Sequence, residues 1–150
     1  MALKETLSGE MKTAMKAGDP DRVGLFRMII SAINNKEIER KGQGKEGPMS
    51  DEEITQLLMS ESKKRRESAE VYTQGNRADL ADKEKKEVEI ISHFLPKQMS
   101  PEETEKAVLE ILNKSGAKEI GLAMKEVMKE LRGKADGALI GEIVKKKLSS

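Results

Sequence analysis

Residues 120–148 read IGLAMKEVMKELRGKADGALIGEIVKKKL, two short helical patterns on either side of a glycine-containing turn. Apolar residues of the first pattern recur at helical spacing: Ile120, Met124, Val127, Met128 and Leu131. Gly133 then supplies the residue type that most readily takes a left-handed backbone after a helix. Asp136 is placed to cap the next helix, whose apolar face is Ile140, Ile143, Val144 and Leu148. The stretch therefore predicts a compact helical surface edged with lysines, which is typical of a docking module.

Upstream of this stretch, the same periodicity predicts five more helices and no strand. Two of these helices begin at capping boxes, in which Ser50 or Ser100 is followed three positions later by a glutamate. Asp19 followed by Pro20 opens another. The helix ends are marked by glycine or proline, at Gly18, Gly75, Pro96, Gly116 and Gly133. The predicted fold class is all-α.

A domain boundary is predicted at Pro96, because proline cannot continue a helix and a new start signal follows within four residues. Residues 1–96 then form a four-helix N-terminal domain, and residues 97–150 form a small three-helix tail domain. The short connection between the two limits how far they can separate.

Composition excludes several classes of protein. The 150 residues are 37% charged and 36% hydrophobic, with a net charge of +1. Any nucleic acid must therefore be bound by a local patch, because no global attraction exists. No cysteine is present, which excludes disulfides and thiolate metal sites. No apolar run approaches membrane-spanning length, and residues 1–12 lack the apolar core of a signal peptide. We therefore expect a cytoplasmic protein without a membrane partner.

Catalytic chemistry finds little support in the sequence. The single histidine, His93, precedes the Pro96 break, where it is interpreted as a helix-end residue. No zinc-protease motif, phosphate-binding loop or nucleophile elbow occurs. Three serines of one charged helix, Ser60, Ser62 and Ser68, have no histidine partner within sequence reach. We predict a non-catalytic chain with no metal and no cofactor.

Two basic clusters remain as candidate binding residues. Lys63 to Arg66 are four consecutive residues that wrap a full helical turn, so we interpret them as a solvated face with internal ion pairs and Arg65 pointing inward. In the tail, Arg132 and Lys134 flank the Gly133 turn, while Lys145 and Lys146 end the last helix with Lys147. These side chains could neutralise a few RNA phosphates. Cations at the C-terminal end of a helix also interact favourably with the helix dipole, so the binding interpretation and the capping interpretation both stay open. The candidate nucleic-acid-binding residues are Arg132, Lys134, Lys145 and Lys146.

Three segments of the chain resemble a known family. They are AMKAGDPDRVGLFRMIISAINNKEIE (14–39), SKKRRESAEVYTQGNRADLADKEKKEVEIISHFLPKQMSPEE (62–103) and GLAMKEVMKELRGKADGALIGEIVKKKL (121–148). The chain resembles the YqeY family, which is similar to the helical and tail domains of the GatB subunit of the Asp/Glu-tRNA amidotransferase. The resemblance implies a four-helix domain joined to a three-helix tail. In the amidotransferase that tail contacts tRNA, and the amide-transfer chemistry lies in other domains. Leu122 stands where the family more often has lysine.

The predicted function is a non-catalytic adaptor that binds, through its tail, tRNA or an aminoacyl-tRNA synthetase or amidotransferase-type protein. The alternative is a helical protein–protein interaction module with no nucleic-acid role. The near-zero net charge favours the alternative, whereas the resemblance favours the adaptor. Transfer of an amide from glutamine is rejected for this chain, because no glutaminase nucleophile or ATP-binding loop is present.

Overall fold

The computed structural model describes residues 2–149, and every regular element in that range is an α-helix. The helices are α1 (Leu3–Ala17), α2 (Pro20–Gly42), α3 (Asp51–Gln74), α4 (Ala78–Ser92), α5 (Pro101–Ser115), α6 (Ile120–Leu131) and α7 (Gly137–Leu148). The all-α prediction is confirmed. Among these helices, none combines the length and the apolar character needed to cross a membrane.

The predicted capping signals form at the helix starts. Ser50 accepts the Glu53 N–H at 3.1 Å, and the Glu53 carboxylate accepts the Ser50 N–H at 3.2 Å, which completes a capping box. Ser100, Asp19 and Asp136 each accept one backbone N–H at the starts of α5, α2 and α7. These bonds satisfy donors that have no partner inside the helix.

Contacts between helices divide the chain into two units, one ending at Phe94 and the other beginning at Leu95. In the first unit, α1 packs along α2 and α3 packs along α4. Its buried apolar residues include Leu7, Phe26, Ile29, Ile33, Ile54, Leu58 and Ile91. Independent folding of residues 1–96 and 97–150 as domains stays a prediction.

Helix α4 ends at Ser92, earlier than the predicted end at Pro96. The His93 N–H bonds to the Ile90 carbonyl at 3.2 Å, and the Phe94 N–H bonds to the Ile91 carbonyl at 2.9 Å. Each of these bonds reaches the carbonyl three residues earlier, as in a 3₁₀-helix, and so tightens the final turn. Leu95, which precedes proline, is disfavoured in helical conformation, so the helix stops before it.

The core of the second unit is aliphatic. It consists of Val108, Ile111, Leu112, Ala123, Val127, Leu131, Ala135, Ile140 and Val144. On α6, the buried face is Ala123, Val127 and Leu131, at intervals of four residues. Ile120 was expected on this face but is 48% exposed, because it is the first residue of the helix and lies at the edge of the packed region.

Candidate nucleic-acid interface

The turn between α6 and α7 presents two of the four predicted basic side chains. Gly133 has φ +82°, which glycine adopts without steric penalty. The Lys134 N–H bonds back to the Leu131 carbonyl at 2.9 Å and closes the turn. Arg132 and Lys134 are exposed, whereas the intervening Gly133 and the following Ala135 are buried. The turn therefore places its small residues in the core and its basic residues in solvent.

A short segment before α5, residues 96–99, is hydrogen-bonded to this turn, and we call it the strap. The Gln98 side-chain Nε2 donates to the Gly133 carbonyl and to the Pro96 carbonyl, both at 2.8 Å. The Met99 N–H donates to the Lys134 carbonyl at 2.8 Å, and the Met99 side chain packs on the aliphatic core. Sequence reasoning missed the strap because its partners lie 35 residues further along the chain, and no local pattern signals them.

The other two predicted residues lie at the far end of α7. Lys145 and Lys146 are exposed near its C-terminus. At a rise of 1.5 Å per residue, Lys145 lies about 12 Å along the axis from Gly137, where α7 begins. The structure thus keeps Arg132 with Lys134 and Lys145 with Lys146, as two groups at opposite ends of one helix.

The surroundings of these lysines are poor in neutralising charge. Within residues 2–149, Lys134, Lys145 and Lys146 have no carboxylate within 4.0 Å of their ammonium groups. Their charge is therefore available to an external anion. The lysines at the C-terminal end of α7 also suit the negative end of the helix dipole, so the two interpretations of their placement are compatible.

Arg65, in the other basic cluster, points inward as predicted. It is 9% exposed. Its Nε donates to Glu87 at 2.8 Å, one guanidinium nitrogen donates to Glu61 at 2.7 Å, and the other donates to the Met28 sulfur at 3.0 Å. Burial lowers the pKa of Arg65, but the hydrogen bonds that it donates to Glu61 and Glu87 outweigh burial and raise the pKa above its ordinary value. Arg65 therefore ties α3 to α4 and α2.

The neighbours of Arg65 are also engaged within the fold. Lys64 lies 3.8 Å from Glu61, the carboxylate that also accepts from Arg65. Arg66 donates to the Ser62 hydroxyl at 3.0 Å. The interpretation of this run as a face with internal ion pairs is confirmed.

The remaining candidate groups lie apart from both clusters. His93 is exposed at the end of α4, beside a cleft of about 360 Å³ whose walls carry charges of both signs: Asp19, Asp21, Arg22, Lys83, Lys86, Glu87 and Glu89. Across residues 2–149, no three histidine or carboxylate side chains are grouped to hold a metal ion.

Comparison with known proteins gives one family. A family model described as Yqey-like protein matches residues 4–148. Among curated proteins, "Altered inheritance of mitochondria protein 41, mitochondrial" of Lachancea thermotolerans is 30% identical over 131 residues, covering 86% of this chain and 68% of the relative. The protein of the same name from Saccharomyces cerevisiae S288c is 29% identical over 135 residues, covering 86% of this chain and 70% of the relative. That of Vanderwaltozyma polyspora is 30% identical over 127 residues, covering 83% of this chain and 66% of the relative. The chain thus spans about two thirds of the length of these relatives.

The prediction of a cytoplasmic location is wrong. The relatives are named as mitochondrial proteins, and these names point to mitochondria. The prediction depended on the composition of the first residues and on the lack of cysteine. A lack of cysteine fits any reducing compartment, so it does not distinguish the cytoplasm from others.

Proposed function

The chain belongs to the Yqey-like protein family, and from that premise we propose that it is a non-catalytic adaptor that binds tRNA through the basic side chains of its tail. The tail resembles the domain by which the GatB subunit of the amidotransferase contacts tRNA. The tail carries basic side chains at the turn before α7 and at the C-terminal end of α7. Such side chains are suited to phosphate contacts, which position an RNA without reading its sequence.

One observation carries this proposal: Lys134, Lys145 and Lys146 are exposed and have no carboxylate within 4.0 Å of their ammonium groups in the described chain. Lys134, Lys145 and Lys146 can each approach a phosphate without first breaking an ion pair. Each phosphate neutralised releases condensed counterions, which favours binding at low salt. Arg132 adds a planar guanidinium, which matches phosphate oxygens in a bidentate arrangement.

The mode of recognition follows from the residue types in the tail. No Phe, Tyr or Trp occurs from Leu95 onward, so stacking of bases on aromatic rings is excluded for this unit. Recognition would then depend on the backbone and shape of a folded RNA. A structured tRNA fits this requirement better than an extended single strand does.

The proposal is tested by salt-titrated binding of tRNA to the full chain. Three or four phosphate contacts imply a slope of log K against log salt of about −2 to −4. A variant with Lys134→Glu, Lys145→Glu and Lys146→Glu should lose this binding and keep the circular dichroism of the wild type.

A matched control reverses Lys12, Lys16 and Lys85 to Glu. These lysines are exposed on helices of the first unit, and the change in net charge equals that of the tail variant. The control should keep at least most of the affinity. Equal loss in both variants would show that only total charge matters, and it would contradict a site in the tail.

A second candidate, the protein-interaction module, is favoured by one feature of α6. Ile120 and Leu122 are 48% and 55% exposed at the start of this helix. An aminoacyl-tRNA synthetase or amidotransferase-type protein is the partner that the family resemblance suggests. Wild-type protein without affinity for tRNA even at low salt would favour this second candidate.

The non-catalytic part of the proposal is checked separately. Purified protein should release no glutamate from glutamine and should hydrolyse no ATP. Glutamate release above a buffer blank that is lost on a single substitution would contradict it.

A further inference from the structure

We propose that Gln98 is a positioning residue for the tRNA-binding turn, and that the strap and the turn are ordered together. The inference rests on the proposed function and extends it to a residue that carries no charge. Binding of tRNA phosphates at Arg132 and Lys134 would then restrict the strap, through which the chain runs from the first unit into α5.

The chemistry of the Gln98 amide fixes how it holds the turn. Both of its partners, the Gly133 and Pro96 carbonyls, are acceptors at 2.8 Å, so the amide must present its NH2 group to them. Each of the two amide hydrogens then has one acceptor. The side chain bridges the turn to its own segment and spans 35 residues of sequence.

A second bond runs beside the first. The Met99 N–H donates to the Lys134 carbonyl at 2.8 Å, so the strap binds two consecutive carbonyls of the turn. The Met99 side chain is anchored on the aliphatic core. The backbone that carries Arg132 and Lys134 is thereby held in one conformation before any ligand arrives.

Holding this backbone in advance favours binding, because less conformational freedom remains to be lost when an anion is bound. The coupling must also work in reverse. If an ordered strap raises the affinity of the turn by some factor, a bound anion stabilises the ordered strap by the same factor. The ordering of the strap therefore depends on whether an anion is bound at the turn.

The experiment uses the full chain with Gln98→Met, which keeps the length of the side chain and removes its donors. Gln74→Met is the matched control, since Gln74 is an exposed glutamine at the end of α3. Affinity for tRNA is measured across a salt series, and hydrogen exchange is measured at the Met99 amide with and without tRNA.

We expect Gln98→Met to weaken tRNA binding about two- to tenfold, the range that one net hydrogen bond supports. The salt slope should stay that of the wild type, because no charged contact is lost. In the wild type, tRNA should slow exchange at the Met99 amide, and Gln98→Met should speed this exchange in the free protein. The Gln74→Met control should change neither affinity nor exchange.

The outcomes separate the two proposals. Wild-type protein that binds no tRNA overturns the proposed function and the coupling with it. Where the wild type binds tRNA, unchanged affinity and unchanged Met99 exchange in Gln98→Met overturn the strap alone. A lowered affinity accompanied by a shallower salt slope would also overturn it, because Gln98 would then act through a lost phosphate contact. Matching circular dichroism of the two variants confirms that both fold.

Discussion

The two basic clusters of this chain are similar in sequence and opposite in environment. Lys63 to Arg66 form the denser run, yet Arg65 is buried between Glu61 and Glu87, and its neighbours bond within their own helix. The tail cluster is more scattered, and Lys134, Lys145 and Lys146 are exposed with no carboxylate within 4.0 Å in the described chain. Density of charge along a sequence is therefore a poor guide to which basic side chains are exposed and unpaired by carboxylates.

The difference has a simple geometric origin. Consecutive residues on a helix point in directions about 100° apart, so a run of four must send one member towards the core. Residues that follow a helix or lie at its end have more exposed directions available. The comparison teaches that a short basic run inside a helix serves the fold, whereas basic residues at turns and helix ends are available to a ligand.

The largest expected effect is on stability, from Arg65→Met. The variant leaves Glu61 and Glu87, each less than one fifth exposed, without their shared cation. Breaking a buried ion pair in this way lowers the free energy of unfolding by about 3 kcal/mol. Urea unfolding measures the loss, with Lys64→Met as control because that side chain is 70% exposed. Adding Glu61→Gln and Glu87→Gln to Arg65→Met should restore much of the stability.

Equal stability of Arg65→Met and Lys64→Met would break the comparison. It would show that the α3 cluster contributes no more to the fold than an exposed charge does, which is about 0.5 kcal/mol or less.

The next effect is on affinity for tRNA, from reversal of Lys63 and Lys64 to Glu. Both lysines lie on a helix whose carboxylates already offset their charge, so we expect a change of about threefold or less at moderate salt. The tail triple variant should lose binding in the same assay. If the α3 reversal weakens binding as strongly as the tail triple does, the surface for tRNA includes the first unit.

A smaller effect is expected on stability at acid pH, and it comes from the ion pair of Lys4 with Glu37 in the first unit. Hydrogen bonds from the Lys4 ammonium at 2.5 Å and the Met49 N–H at 2.9 Å lower the pKa of Glu37 below 4.5. The unfolded state then takes up the proton more readily than the folded state. The resulting stability is present above about pH 4.5 and is lost as the pH falls through the lowered pKa.

Thermal unfolding from neutral pH down to about pH 3 tests this sign. The wild type should lose more stability than Glu37→Gln, which lacks the titrating group. Glu39→Gln, an exposed change on the same helix, should follow the wild type. A Glu37→Gln curve parallel to that of the wild type would show that the lowered pKa of Glu37 adds nothing to the pH dependence of stability.

The smallest effect is expected on tRNA affinity, from substitution of Leu122 in the tail. Leu122 is 55% exposed on α6, at the position where the family resemblance leads us to expect lysine. If the outer side of α6 lies near bound RNA, Leu122→Lys should raise affinity about two- to threefold and steepen the salt slope by about 0.7 to 0.9. Leu122→Gln, which adds polarity without charge, should leave the slope unchanged. No change with Leu122→Lys would confine the contact to the turn and the end of α7.

Much of the fold follows from local signals in the sequence. Ser50 with Glu53, Asp19 with Pro20, and Asp136 mark helix starts at the residues where the structure has them, because a capping bond involves only neighbours. Gly18 and Gly133 mark turns for the same reason. The inward direction of Arg65 was also predictable, since a full turn of charges cannot all face solvent.

The features that escaped prediction depend on contacts distant in sequence. Nothing near Gln98 shows that its amide reaches Gly133, and nothing near Met28 shows that its sulfur accepts from Arg65. Ile120 has the right spacing for the core but lies at the edge of the packing, which periodicity alone does not report. For the candidate site, the sequence identifies the basic residues, whereas their grouping into two pairs requires the length of α7.

The aliphatic core of the tail has a spectroscopic consequence. All three aromatic residues of the chain, Phe26, Tyr72 and Phe94, precede Leu95, and two of them form a perpendicular ring pair with centroids 5.7 Å apart. Near-ultraviolet dichroism and tyrosine fluorescence therefore report on the first unit alone, while far-ultraviolet dichroism reports on both. A melt in which the two signals separate would show that the tail and the first unit unfold at different temperatures. A tryptophan introduced at exposed Leu122 would give the tail an emission of its own against a background free of indole.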